Sequence, residues 1–265
     1  MPKLSVTVIT RDEAANIAAA LESVAWADEI VVVDSGSADD TVAIARRYTE
    51  RVSVRPWPGY VAQKNLAAAE ATHDWILSLD ADERVSPELA AEIQGLLQRE
   101  PDAAGFRVPR VTFHLGRWIR STDWYPDYQL RLYDRRRARW TGRHVHESVR
   151  ADGPVGDLRQ ELRHHAYRDL SHHLQTMDRY TTLAARQMHE DGRTAGWTDL
   201  ALHPPAAFLR NYVLRGGFRD GVPGLVISLL NATYVALKFA KLWELCFHST
   251  STPPSPGAAD STRSS

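Results

Sequence analysis

A single cysteine, Cys246, stands in 265 residues. That scarcity excludes a disulfide scaffold and a cysteine-built zinc site, and it fits a reducing compartment. Long apolar runs are also missing. The best stretch, Gly221–Leu237, is uncharged but contains Pro223, Ser228, Asn231 and Thr233, and it falls short of the roughly 20 apolar residues a spanning helix needs. Met1–Ile17 carries Lys3, Arg11, Asp12 and Glu13 in or beside its one apolar run, so it is not expected to act as a signal peptide. The first apolar run is followed by TRDEAAN. This is neither a G-x-G-x-x-G turn nor a lysine-bearing glycine loop, which argues against a dinucleotide-binding protein and a nucleotidyltransferase.

Net charge is nearly absent, at −1, but the sum hides a division. Residues 1–106 hold 9 basic and 18 acidic side chains, whereas 107–150 hold 11 and 4. An acidic half followed by an arginine-dense stretch points to two sites of opposite polarity and away from a general nucleic-acid binder. The length suits one good-sized domain with or without an appendage.

The first hundred residues alternate between two patterns. Leu4–Ile9, Glu29–Asp34, Arg51–Arg55 and Trp75–Leu79 are short, mostly apolar runs that read as strands. Between and after them, Glu13–Ala25, Ser37–Tyr48, Tyr60–Ala71 and Pro87–Gln98 have helical spacing. Asp12 is expected to cap the first helix, and Ser86 before Pro87 the fourth. Strands spaced by such helices imply βαβ units, hence a mostly parallel sheet covered on both faces. Beyond Gly105 the pattern loosens. Phe106–Val111 and Tyr128–Tyr133 read as strands, and Ser171–Glu190 as one amphipathic helix with Leu174, Met177, Tyr180, Thr181 and Ala184 on its stripe. Pro204 and Pro205 punctuate the chain before an apolar region, and the segment from Ser249 onward has the composition of a disordered tail.

In an open parallel sheet, ligands bind beyond the carboxyl ends of the strands. Three such ends are polar here: Thr10-Arg11-Asp12-Glu13, Asp34-Ser35-Gly36-Ser37 and Asp80-Ala81-Asp82-Glu83. Asp34 is either a turn residue or a ribose or base contact. Asp80 and Asp82, two apart in extended chain, point the same way and can share one Mg2+ or Mn2+ with substrate phosphates; this reading is preferred to a solvated acidic turn capping the next helix.

The runs VTVITRDEAANI, EIVVVDSGSADDT, QKN at 63–65 and WILSLDADE resemble the inverting glycosyltransferases of family 2, with the GT-A (nucleotide-diphospho-sugar transferase) fold. YQLRLYDR at 128–135, GRHVHE at 142–147, His164 and RGGFRDGVPGL at 215–225 resemble the lipopolysaccharide-core glucosyltransferase branch. One departure is that Asp12 stands where the family usually carries asparagine. The resemblance implies an α/β, Rossmann-like, mostly parallel sheet with a C-terminal helical extension. It divides the chain into a nucleotide-sugar-binding half (1–106), an acceptor-binding half with its helix (107–204), an apolar and basic helical region (205–248) and a tail (249–265). Thr10, Glu13 and Asp34 are then expected to line the uridine of a UDP-sugar, with Lys64 nearby. Asp82 is expected to hold the metal, with Asp80 and His164 assisting.

Inverting transfer needs a base for the acceptor hydroxyl and positive charge on the leaving diphosphate. Glu147 is the expected base and Asp127 the second candidate; the competing role for Glu147 is an ion pair with a neighbouring arginine. His144, His146 and His165 could supply a third metal ligand or touch the diphosphate, but each taken singly reads as a packed or surface residue. Arg131 and Gln129 share one face of a strand, and Arg131 is positioned to bind phosphate or carboxylate groups. The expected activity is metal-dependent transfer of a hexose, glucose first, to an anionic lipid-linked saccharide such as the lipopolysaccharide inner core. The rivals are a catalytically silent sugar-nucleotide-binding partner and a family 2 enzyme with another acceptor. Basic flanks around 221–237 suit a helix lying on an anionic bilayer, so the protein is expected in the cytoplasm, peripheral to the inner membrane, with its oligomeric state open.

Overall fold

A computed structural model describes residues 2–142 and 147–250, the last three of these by backbone alone. His144, His146 and the tail from residue 251 lie outside the described residues.

The chain divides into two compact units, residues 1–168 and 169–265. The first contains β1 (Leu4–Thr10), α1 (Ile17–Glu22), β2 (Glu29–Asp34), α2 (Thr41–Ala45), β3 (Val52–Val54), α3 (Tyr60–Glu70), β4 (Trp75–Asp80), β5 (Glu83–Val85) and α4 (Pro87–Leu97). It continues with β6 (Gly105–His114), β7 (Arg117–Ile119), β8 (Asp127–Asp134), β9 (Ala138–Thr141), β10 (Ser148–Ala151), β11 (Val155–Asp157) and β12 (Leu162–His164). The larger sheet runs β3-β2-β1-β4-β8-β6-β12-β5, with β7 and β11 also on β6, while β9 and β10 form a separate pair. The left half, β3 to β4, is parallel, and β8 joins it antiparallel. This is a GT-A-like mixed α/β fold, as the resemblance implies.

Apolar residues on both faces of β1, β2 and β4 explain why helices cover both. Val6, Val8, Leu77 and Leu79 pack with Ile17, Leu21, Leu89 and Ile93 of α1 and α4. Val31, Val33 and Ile76 pack with Ala67 and Ala68 of α3. Ser86 caps α4 as expected, its hydroxyl accepting the Leu89 N–H at 3.1 Å.

Helix α1 starts four residues later than its periodicity suggests. Asp12 does not cap it: with φ of 54° it sits in the left-handed region, and its carboxylate accepts the Ala38 N–H at 2.7 Å. Glu13 holds the turn before the helix, accepting from the Asn16 side chain at 2.8 Å. Helix α2 is shortened too, because Ser37, Asp39 and Thr41 bond across to the loop after β1. Side chains made for turns win there over helix propagation.

The second unit holds α5 (Leu170–Glu190), α6 (Trp197–Leu209) and α7 (Gly221–Thr250). The division falls after Arg168, and α5, expected with the acceptor-binding half, packs with α7 instead: Ala185 and Met188 meet Phe239 and Leu242. The buried stripe of α5 is His173, Met177, Thr181, Ala185 and Met188, so Leu174, expected inside, is outside. Lys241 clamps α7 to α5 through the Asp178 carboxylate at 2.7 Å and the Thr181 and Thr182 hydroxyls. Pro204 and Pro205 lie inside α6 and do not end it; the helix gives up their two amide hydrogen bonds, and a π-helical turn, Arg210–Leu214, follows. The stretch Gly217–Phe247 is long and apolar enough to cross a membrane by length and composition alone, although Gly221–Leu237 read as too short.

Candidate active site

Strand register brings the polar carboxyl ends side by side. Thr10 pairs with Asp34 across β1 and β2, and Ile9 with Asp80 across β1 and β4. The Thr10 hydroxyl is buried and has no hydrogen-bond partner among the described residues, which suits a group awaiting a ligand.

Asp34 is fully buried. One carboxylate oxygen accepts the Gly36 and Ser37 N–H groups at 2.8 Å each, and the other accepts the Ser37 hydroxyl. The residue expected at the uridine is first of all the builder of its own turn. Gly36, with φ of 84°, takes the left-handed conformation that this turn requires. Glu13 lies beyond β1; burial pushes its carboxyl above the ordinary range against the opposing Asn16 bond, and the Asp82 and Asp39 charges push the same way.

The QKN run turns three neighbouring side chains to three tasks. Gln63 donates to the Ser35 hydroxyl at 3.1 Å, Asn65 exchanges two hydrogen bonds with the Trp140 backbone, and Lys64 points into the sheet. Lys64 is only 3% exposed, with its ammonium 3.0 Å from Asp80 and 4.2 Å from the centre of the Trp140 ring. It is not a solvated helix lysine. Glu147 approaches from the other side, its carboxylate 3.9 Å from the Lys64 ammonium.

Arg131 is also buried, so the phosphate-binding face expected of it is turned inward. Its Nη2 lies 2.6 Å from Asp80 and 2.7 Å from Glu83. Both Asp80 oxygens are thus committed, one to Lys64 and one to Arg131. Burial raises the pKa of Asp80, but the two cations outweigh it and hold the carboxyl far below its usual range. The assisting metal role expected of Asp80 has to compete with these two ion pairs.

Asp82 is left facing His164, Oδ2 to Nε2 at 3.3 Å. Antiparallel pairing of β12 with β5 delivers the histidine, and Thr112 Oγ1 lies 3.3 Å from its other ring nitrogen. Burial lifts the Asp82 pKa, yet its hydrogen bond to His164 and the charge of that ring bring it below the ordinary value. Asp127 has both oxygens occupied: Arg110 donates to one at 2.9 and 2.6 Å, and Gln129 to the other at 2.6 Å.

Two residues with no role assigned from sequence tie these groups together. Glu83 is fully buried and accepts from Arg131 at 2.7 Å, from Arg110 at 3.1 Å and from the Asp80 N–H at 3.0 Å. Arg110 bridges it to Asp127. Glu83 closes the D-A-D-E run, which was its only sequence signal; Arg110 had none apart from its place in a strand. A cavity of about 430 Å3, lined by Glu29, Arg51, Thr72 and others, opens at the amino ends of the strands. That is the wrong edge for a ligand in this fold.

The Glycosyl transferase family 2 model matches residues 5–151. The chain is 32% identical over 253 residues to the lipopolysaccharide core biosynthesis glycosyltransferase LpsC of Rhizobium meliloti, covering 92% of this chain and 94% of that protein. It is 31% identical over 258 residues to an uncharacterized glycosyltransferase of Rickettsia felis, covering 92% and 90%. A crystal structure of glucosyl-3-phosphoglycerate synthase from Mycobacterium tuberculosis with Mg2+ and uridine diphosphate overlaps 43% of this chain and 44% of its own, at 23% identity and a TM-score of 0.36. That overlap is too partial to add to the family assignment. The family model spans more than half of the chain, and the curated relatives match it nearly end to end: this chain belongs to glycosyl transferase family 2.

Proposed function

We propose that this glycosyltransferase moves a hexose, glucose first among the candidates, from a UDP-sugar to a lipid-linked saccharide such as the lipopolysaccharide inner core, with inversion and with a divalent cation. The observation that carries this reading is the Asp82–His164 pair at the carboxyl edge of the sheet. One carboxylate oxygen and one imidazole nitrogen 3.3 Å apart suit a cation that keeps its other positions for water and a diphosphate. No group of three or more His, Cys, Asp or Glu side chains fit to hold a metal occurs among the described residues, which is consistent with substrate supplying the remainder. Charge supports the fit. Asp80, Asp82, Glu83, Asp127 and Glu147 are five carboxylates against three fixed cations, Lys64, Arg110 and Arg131. When bound, Mg2+ or Mn2+ would supply positive charge against the leaving diphosphate.

The chain's own residues do the rest. The unpartnered Thr10 hydroxyl and the loop built by Asp34 suit the nucleoside, with Glu13 beside them. Asp80 holds Lys64 and Arg131 in place. Glu147 is the better base, because both Asp127 oxygens are already engaged. It takes the proton from the acceptor hydroxyl as that oxygen attacks the anomeric carbon from the face opposite the diphosphate. The similarity to the lipopolysaccharide core biosynthesis glycosyltransferase LpsC supports a lipid-linked acceptor. A cytoplasmic protein in peripheral contact with the inner membrane suits such an acceptor, and the apolar stretch with arginines at 210, 215 and 219 supports it.

The test is thermal unfolding with a panel of nucleotide-sugars, with and without Mn2+, followed by turnover of the sugar that stabilises most. A UDP-sugar is expected to raise the midpoint further with Mn2+ present. Asp82→Ala and His164→Ala are each expected to remove the Mn2+-dependent increment and turnover. Normal turnover by Asp82→Ala would end the metal assignment, and binding without any turnover on a lipid-linked saccharide would favour a silent partner.

A further inference from the structure

We infer that the tip of the helical unit, where α6 turns into α7, is the element that enters an anionic lipid surface. This rests on the membrane contact proposed above and moves it from the middle of α7 to a defined turn. Among the described residues, every large apolar side chain that is half or more exposed lies in the second unit. Five of them fall between Leu209 and Val222: Leu209, Val213, Leu214 (79% exposed), Phe218 and Val222 (73%). By contrast, the body of α7 turns Ile227, Ser228, Phe239 and Leu242 inward, and Leu229 is its most exposed large apolar side chain before Phe247, at 50%.

The tip is a built structure. A π-helical turn, Arg210–Leu214, leads through Gly216 in the left-handed conformation to a 3-10 turn, Gly217–Asp220. Glycine is required underneath: a Cβ on Gly224 would lie 1.9 Å from the Gly217 carbonyl oxygen, and one on Gly217 would lie 2.8 Å from the Ser228 hydroxyl. The Phe208 and Tyr212 rings stack at 5.4 Å, and Phe218 meets Tyr212 edge-on. Fixed backbone thus holds large apolar groups out in water, which soluble surfaces avoid in such concentration.

Charge selects the occupant. From 204 to 224 the chain carries Arg210, Arg215 and Arg219 against one acid, Asp220, and Asp220 is buried. Arginines interleaved with exposed apolar residues suit the headgroup boundary, where apolar tips enter the acyl region and guanidinium groups reach phosphates. Protein interfaces also take arginine and aromatic side chains, so a second copy or a protein partner is the alternative that the oligomeric-state arm of the test excludes. A helix spanning the bilayer suits the pattern less well, since Lys241 is spent on Asp178 and the Thr181 and Thr182 hydroxyls of α5.

The experiment is co-sedimentation of the full chain with vesicles of phosphatidylcholine, with and without phosphatidylglycerol. The wild type is expected to bind the anionic vesicles, and Leu214→Asp with Phe218→Asp to weaken that binding by more than about tenfold. Leu229→Asp is expected to change it little. In case the charged variants melt early, an environment-sensitive dye is placed through Leu214→Cys or Leu229→Cys, each with Cys246→Ala; a blue shift on vesicles at 214 but not at 229 supports the tip. Binding that survives the tip variant but is lost with Leu229→Asp overturns the inference while leaving membrane contact intact. Absence of wild-type binding to either vesicle removes the membrane reading itself. Resistance to alkaline carbonate extraction, or a change of oligomeric state in the tip variant without change in vesicle binding, overturns the inference in favour of a spanning helix or a protein interface.

Discussion

Glu83 and Arg131 meet at 2.7 Å, the carboxylate fully buried and the guanidinium 3% exposed, and neither closes its bonding on the other alone. Arg131 goes on to Asp80 and Glu83 to Arg110, so a row of alternating charges runs Asp127–Arg110–Glu83–Arg131–Asp80–Lys64. The two candidate bases stand near its ends, Asp127 bonded to Arg110 and Glu147 3.9 Å from Lys64.

Removing charge from the middle of this row leaves two arginines with one carboxylate each, Arg131 with Asp80 and Arg110 with Asp127. Glu83→Gln keeps the size and is expected to lower the unfolding free energy by about 3 kcal/mol or more, the scale for breaking a buried ion pair from one side. Urea unfolding measures it. The double variant with Arg110→Gln should recover part of the loss, because one under-compensated cation disappears; strictly additive losses would show that the two residues act separately.

Lys64→Met retains packing on Trp140 but leaves Asp80 with Arg131 as its one remaining cation. Asp80 keeps some solvent contact, so a smaller loss is expected, about 1–3 kcal/mol. An unchanged urea midpoint would mean that Lys64 is held for binding and adds nothing to the fold.

Asp34→Ala removes the acceptor for two backbone N–H groups and one hydroxyl. The expected cost is about 1–3 kcal/mol, with Asp34→Asn milder. Binding of UDP should weaken in proportion as the loop loosens. If UDP affinity falls while the melting temperature stays put, Asp34 contacts the nucleoside directly.

Glu147→Gln should leave UDP-sugar affinity near wild type while transfer slows by roughly 10²–10⁴-fold, the scale of lost general-base catalysis. Single-turnover kinetics at saturating acceptor reads the chemical step. Near-normal transfer with an early melt would make Glu147 an ion-pair residue and turn attention to Asp127.

Glu29 supplies a pH signature away from the site. Burial raises its pKa, but bonds from Ser5 and Thr72 and the Arg51 charge prevail and hold it below 4.5. A carboxyl depressed in the folded state stabilises above its unfolded pKa and loses that contribution as pH falls through the folded value. Wild type should therefore be more stable than Glu29→Gln at pH 7, with the gap closing below about pH 4.5. Urea titrations at pH 7, 5, 4 and 3 measure it; a gap that widens in acid contradicts the assignment.

Apolar periodicity by itself determined the strands of the parallel half, the helices between them and the carboxyl edge where the site lies, because those patterns are local and burial reads them directly. Residues 29–34 are a strand as read, and Ser86 is the cap it looked like. What only tertiary structure decided was which polar side chains are spent on one another. Asp34 read as a turn residue or a nucleoside contact and Asp80 as a metal ligand, and in the fold they are engaged by a turn and by two cations; Lys64 read as near the nucleotide or solvated and Arg131 as a phosphate-binding side chain, and both are buried. Partners in this network come from α3, β4, β5, β6 and β8, far apart in the chain, and no local pattern records a long-range ion pair. The same reason hid Glu83, and it moved the helix 170–190 from the sheet to the second unit, where Met188 and Phe239 found each other. Burial can be read from alternation along one segment, but the pairing of charges depends on which segments the fold brings together.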